Sequence, residues 1–349
     1  MNVERFVENP LIRPAAVVPS RPDFQVVCAF NGGAIRVGDE TVLLLRIAER
    51  PKDVPDGCLV APVLDPHDLS RGIRLLTVRK DDPDYGALDS RVFKYRGETY
   101  LTSISHIRVA RSGDGRRFEI EPRPAMFPAT CDEEFGIEDP RITYIDGRYW
   151  INYSSISSRG ITTSLAVTDD FRTFERKGVI FAPENRDITI FPEKVGGRYV
   201  CLHRPVASMI GGKDIWLAYS PDLLHWGDHR IVCRTRAGMW DSARIGGGAV
   251  PIRTEHGWLA IYHGADASDR YCLGALLLDE SDPSRVLGRS REPLLAPEAE
   301  YERRGFFGNV VFTCGAVTDG DRLTIYYGAA DECTCGAQVS IREILKNLE

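Results

Sequence analysis

The chain has 349 residues, of which 43% are hydrophobic and 27% charged, and a net charge of −6. This ordinary globular balance excludes a general affinity for nucleic acid or anionic membrane, and no apolar run reaches the roughly 18 residues of a membrane helix. Nine scattered cysteines, behind an N-terminus (Met1 to Pro14) that lacks the apolar stretch of a secretory signal, give the expectation of reduced thiols in the cytoplasm.

In chain order, short β-branched and aromatic runs alternate with Gly, Asp and Asn turns. The first hairpin is Ala34 to Val37, the turn Gly38-Asp39-Glu40, then Val42 to Leu45. The stretch 51–89 is rich in Pro, Asp and Gly and is expected to be an inserted loop region that can cover a ligand site. A further hairpin fits Val92 to Thr102. Clear copies of the same unit follow at Arg141 to Tyr153, Phe191 to Leu202, Ala249 to Tyr262 and Gly315 to Tyr327, each folded about a polar turn. Only the tail, Ser340 to Leu348, has helical spacing, with Ile341, Ile344, Leu345 and Leu348 on one face. A strand–turn–strand unit repeated along a single chain predicts an all-β fold, a β-propeller in one domain spanning 1–349. The periodicity alone allows five or six blades.

A propeller gathers its functional residues at the starts of its blades. Polar groups recur there: Asn31, Arg46, Glu138-Asp139, Glu193, Arg204, His263 and Asp331. The acidic pair Glu138-Asp139, fixed by Pro140, reads either as a strand-entry turn or as a general acid at the mouth of the channel. Arg159, Arg204, Lys213 and His263 read singly as solvated or salt-bridged residues and jointly as a site for an anion. Gly246-Gly247-Gly248 is no phosphate-binding loop, His263 has no partner at metal-ligand spacing, and no nucleophile elbow is present. No metal and no organic cofactor are expected. The Cys333/Cys335 pair reads as structural.

Six short motifs in order then carry a resemblance: Phe30-Asn31 with Leu43 to Arg46, Gly136 to Arg141, Phe191-Pro192-Glu193, His203-Arg204-Pro205, Tyr262-His263-Gly264, and Tyr326 to Asp331. Across nearly its whole length the chain resembles glycoside hydrolase family 130, the β-mannoside phosphorylases and mannosidases. The resemblance implies a five-bladed propeller. It also implies that Asp139 is the catalytic acid, passing its proton through the mannose 3-hydroxyl, with inorganic phosphate attacking the anomeric carbon with inversion. Arg159, Lys213, His263 and Arg204 match phosphate ligands; Asn31, Arg46, Glu138 and Asp331 match ligands of the mannose hydroxyls. The segment Leu101 to His106 looks most like the β-1,2-mannobiose and β-1,2-oligomannan enzymes, with β-1,4-mannooligosaccharide and mannosylglucose phosphorylases as alternatives. Oligomers occur in the family, so self-association is a further expectation. Two rival readings remain: an inverting mannosidase with Glu193 as its base, and a carbohydrate-binding propeller without turnover.

Overall fold

The computed structural model describes residues 2–89 and 91–349. It is all-β apart from short helical turns and the tail helix Ile341–Lys346. That helix begins where the side chain of Ser340 accepts a hydrogen bond from the Glu343 amide (3.1 Å), an N-cap, and it buries Ile344.

Apart from two small sheets between Cys58 and Leu101, the described strands fall into five antiparallel units. The first contains Phe24–Val37, Glu40–Pro51, Ile104–Ser112 and Glu119–Ile120. The second contains Gly136–Ile145, Arg148–Ser157, Gly160–Thr168 and Glu175–Phe181, and its inner strand meets the first unit's sheet through the parallel pairing of Gly136 with Ser105. The third contains Asn185–Ile190, Tyr199–Pro205, Ile215–Ser220 and Gly227–Cys233. In the fourth, Arg244–Gly247, Gly257–Ala265, Tyr271–Leu278 and Val286–Arg289 are the main strands. The fifth is Val311–Asp319, Arg322–Ala329 and Cys333–Ser340, completed by the N-terminal strand Glu4–Arg5. The hairpin turn Asp146-Gly147 has both residues at positive φ, the conformation that matches the twist of its two strands.

Each unit is bonded to the next. Thr143 Oγ1 donates to the Ile190 carbonyl (3.2 Å), linking the second to the third. The amide of Ile245 donates to Lys213 (3.0 Å), that of Tyr271 to Asn309 (3.0 Å), and that of Ala29 to Glu332 (2.8 Å), the last joining the fifth unit back to the first. Separate apolar clusters fill the spaces between neighbours. Between the third and fourth units, for example, Phe191 meets Trp258 edge-on at 5.0 Å between ring centroids. Burying side chains of this size contributes roughly 1.5–3 kcal/mol each.

Three units share a latch that the sequence did not disclose. A buried carboxylate ahead of the inner strand accepts a tyrosine hydroxyl from the second strand and an arginine from the outermost one. Glu133 takes Tyr153 (2.9 Å) and Arg176 (3.2 Å). Asp241 takes Tyr262 (2.8 Å) and Arg289. Glu302 takes Tyr327 (2.8 Å) and Arg5 (2.8 Å). Each of Tyr153→Phe, Tyr262→Phe and Tyr327→Phe is expected to cost about 1.5–3 kcal/mol in denaturant unfolding, because a hydrogen bond to a buried charge is lost. The half-exposed Tyr144→Phe serves as the control and should change little.

Three sequence expectations need correction. The region 51–89, expected to be an inserted loop region, carries strands: Cys58–Leu64 pairs with Ile73–Arg79, and Tyr85–Ala87 pairs with Val92–Tyr95. Its turn-forming residues flank short strands instead of replacing them. The hairpin at Val92 to Thr102 forms a small separate sheet with Tyr85–Ala87 and joins none of the five units. In the third unit the inner strand is Asn185–Ile190, ahead of the expected copy at Phe191 to Leu202.

Candidate active site

The starts of the inner strands converge on a cleft of about 480 Å³. In three units the inner strand bulges there, and the bulge holds an Asx residue at positive φ: Asn31 (46°), Asp139 (50°) and Asp187 (57°). Asn and Asp tolerate this left-handed conformation better than other side-chain-bearing residues, and a bulge re-aims a side chain. The first two of these residues meet. Asn31 Nδ2 donates to Asp139 Oδ1 (3.0 Å).

Arg46 organises this acidic half of the cleft. Its guanidinium lies over the Phe30 ring at 4.6 Å and donates to Asp139 (3.1 Å), Glu138 (2.5 Å) and Ser105 (3.2 Å). Burial pushes the Glu138 carboxyl up, Arg46 opposes that, and neighbouring Asp139 adds to it. Asp331, on the turn before Cys333–Ser340, also lines the cleft. Burial pushes its carboxyl up to about 6, against the pull of Arg46 and Arg91. Ionised Asp331 therefore costs the fold about 3 kcal/mol. With a raised carboxyl the sign is fixed: the penalty is absent below the usual carboxylate range and grows as pH rises through about 6. Asp331→Asn should accordingly unfold at higher temperature than the parent at pH 8, with the gain vanishing near pH 4.

The opposite half is cationic. Arg186, Arg204, Lys213 and Arg244 line it. Arg204 is buried and holds Asp187 through Nε (2.7 Å) and Nη2 (2.6 Å). Burial alone would raise the Asp187 carboxyl, but Arg204 and His263 outweigh it and hold it well below the usual range. His263 Nε2 lies 3.4 Å from Asp187, and burial pushes the imidazole down towards its neutral form. A side chain at Gly246 would collide with both, since an added Cβ falls 2.5 Å from each, so glycine is required there. Arg244 is held by Tyr271 (2.8 Å) and Asp269 (2.5 Å). Lys213 and Arg186 line the cleft with no ion-pair partner among the described residues. Burial and the charges of Arg244 and Arg204 push the Lys213 ammonium down. Such mutual repulsion is relieved when an anion enters. Arg141 ties the centre together by donating to the Asp139 (3.1 Å) and Gly247 (3.1 Å) carbonyls.

The structure thus brings Asn31, Arg46, Glu138, Asp139, Asp331, Arg204, Lys213 and His263 to one cleft. It does not bring Arg159. That side chain is exposed on the turn before Gly160–Thr168, where it pairs with Asp132 (3.2 Å) and Cys131 (3.1 Å). Arg186 and Arg244, which the sequence reading missed, stand on the cationic wall instead. Their signal is position: each lies at or beside the first residue of an inner strand, as Glu138-Asp139 lies close to the start of Gly136–Ile145. Glu193 is exposed outside the cleft lining. A shallower depression of about 520 Å³ beside Trp240 and Arg291 holds no comparable cluster.

Residues 85–349 match the family model for glycoside hydrolase family 130, described as β-1,4-mannooligosaccharide phosphorylase. The chain belongs to glycoside hydrolase family 130. Within family 130, it is 47% identical to the β-1,2-mannobiose phosphorylase of Listeria innocua, over 100% of this chain and 99% of that protein. The solved Listeria enzyme, in complex with β-1,2-mannobiose, superposes with a TM-score of 0.96 over 100% of this chain and 99% of that one. A family 130 relative from Thermoanaerobacter, a 1,2-β-oligomannan phosphorylase, is 41% identical over 70% of this chain and 82% of its own length.

Proposed function

We propose that the chain catalyses inverting, reversible phosphorolysis of β-1,2-mannobiose or short β-1,2-mannooligosaccharides, giving α-mannose 1-phosphate and a shortened acceptor. The observation that carries this reading is the division of one cleft into an acidic half around Asp139 and a cationic half of Arg186, Arg204, Lys213 and Arg244. Identity to the Listeria enzyme along the full chain supports the β-1,2 linkage.

Asn31, Arg46, Glu138 and Asp331 hold the mannose. Asp139 delivers a proton through the mannose 3-hydroxyl to the bridging oxygen. Phosphate, held by Lys213, Arg186 and Arg244, with Arg204 and His263 behind, attacks the anomeric carbon from the opposite face. The C–O bond to the acceptor breaks as the bond to phosphate oxygen forms. An inverting hydrolase would need a carboxylate base to activate water, whereas phosphate already carries the negative charge. What the protein supplies is an oriented, partly desolvated pocket of positive charge. The exposed position of Glu193 removes the support for it as a hydrolytic base.

The five units, the hydrogen bond from Ala29 to Glu332 and the N-terminal strand in the fifth unit support a closed five-bladed propeller with the cleft at its axis. Nine free cysteines support a reducing, cytoplasmic setting.

The test incubates the protein with β-1,2-mannobiose, with and without inorganic phosphate, and assays mannose 1-phosphate against free mannose. Phosphate-dependent mannose 1-phosphate is expected. Equal release of free mannose in both arms would replace the proposal with hydrolysis. Turnover of β-1,4-mannobiose alone would move the linkage to that of the matched family model.

A further inference from the structure

Arg141 lies behind the lining of the cleft and is 1% exposed. A guanidinium taken out of water is tolerated when its donors and its charge are matched. Here the matching groups come from different parts of the molecule. Nη1 donates to the Asp139 carbonyl (3.1 Å), at the bulge that carries the proton donor. Nη2 donates to the Gly247 carbonyl (3.1 Å) and Nε to that of Gly248 (3.3 Å), both in the fourth unit. Nη2 also lies 3.6 Å from Oδ1 of Asp187 in the third. The guanidinium sits 5.8 Å from the centre of the Phe312 ring in the fifth. The first unit packs on the backbone at the same place: a Cβ added to Gly33 would fall 2.5 Å from the Pro140 carbonyl oxygen. The run Gly246-Gly247-Gly248, which is no phosphate-binding loop, makes the approach to Arg141 possible. A Cβ on Gly247 would fall 2.6 Å from the Asp187 carbonyl oxygen, and one on Gly248 2.6 Å from that of Ile261. Side chains there would push this backbone away from the guanidinium.

Asp187 passes the link on to the cationic half. Its Oδ2 accepts from Arg204 Nε (2.7 Å) and lies 3.4 Å from His263 Nε2. A chain of contacts therefore runs from the Asp139 backbone through Arg141 to Asp187, Arg204 and His263. We propose that Arg141 is a positioning residue for both sides of the reaction: one guanidinium sets the backbone of the proton donor and the carboxylate that orients the phosphate-binding wall. The inference rests on the phosphorylase reading. Its physical basis is the shape of the group. The guanidinium is planar and its N–H donors have fixed directions, so a shift at one contact is carried to the others. A lysine at this position keeps the charge but loses the planar spread of donors, and it cannot serve Asp139, Gly247, Gly248 and Asp187 in the same geometry.

The experiment measures two quantities in full-length Arg141→Lys. One is the KM for phosphate. The other is the ratio of kcat on an aryl β-mannoside to kcat on β-1,2-mannobiose, at saturating phosphate. An aryl leaving group needs little protonation, so the ratio reports proton delivery, and losses on the phosphate side cancel from it. Both quantities should rise by about tenfold. A side chain that only supports the fold would lower turnover of the two mannosides together and leave the ratio unchanged. Asp187→Asn keeps the test open where Arg141→Lys does not fold. Asparagine tolerates the positive φ of 57° at that position and still offers an oxygen to Arg204. Arg141 then loses its charged partner, and the ratio should rise together with the KM for phosphate, although the substitution is made on the phosphate side. A folded variant of either kind in which only one of the two quantities rises, or neither, would overturn the proposal. A parent that forms no mannose 1-phosphate from mannobiose would instead overturn the phosphorylase reading beneath it.

Discussion

Asp139→Asn is expected to lower kcat for phosphorolysis by about 10²–10⁴-fold while leaving the melting temperature close to that of the parent. The size follows from the loss of general acid catalysis on a poor leaving group. The retention of fold follows from local geometry. Asparagine tolerates the positive φ of 50° at this position, and its amide oxygen can still accept from Asn31 and Arg46. Asp139→Ala is a poorer test, since alanine is strained there and leaves both donors without their acceptor. A mannoside with an aryl leaving group needs little protonation, so it should lose far less rate than mannobiose in the same variant. Equal losses on the two substrates would mean that Asp139 positions the sugar and that another group supplies the proton.

Lys213→Ala and Arg186→Ala are expected to raise the KM for phosphate by about tenfold or more with little change in the KM for mannobiose. A charge-assisted hydrogen bond is worth about 1.5–3 kcal/mol, and every 1.4 kcal/mol is tenfold. Neither side chain holds a carboxylate, so removing it leaves no buried charge stranded. Arg204→Ala is different in kind. It would strip Asp187 of its main partner, and a loss of stability would then obscure the phosphate effect. Arg159→Ala provides the control: paired with Asp132 on an exposed turn, it should behave as the parent in saturation curves for both substrates. A phosphate effect confined to Arg159→Ala would restore the assignment made from spacing and remove Arg186 and Lys213 from the anion site.

Legibility from sequence followed the nature of each signal. The acidic half was readable because Gly136 to Arg141 is continuous, and because Asn31, Arg46 and Asp331 each sit in a distinctive short motif. The all-β class and the tail helix were readable from periodicity. Half of the cationic wall was not. Arg186 and Arg244 are single residues in unremarkable surroundings, and their convergence depends on how the third and fourth units are bonded together. Arg159 was placed by its distance along the chain, but the turn that carries it points away from the cleft. The latches at Glu133, Asp241 and Glu302 were hidden for a related reason. Each draws its three members from both ends of a unit, or in the case of Arg5 from the other end of the chain.

That last pairing has a temporal side. Glu4 and Arg5 lie more than 330 residues along the chain from their partners Gln338 and Ala337. Until these distant segments meet, the fifth sheet lacks its outer strand and Glu302 lacks Arg5. The units between can gather their apolar clusters from nearer segments, whereas the joint between the first and last needs this long-range contact. Folding of the finished chain should then be limited by one long-range closure step, at which binding competence arises all at once.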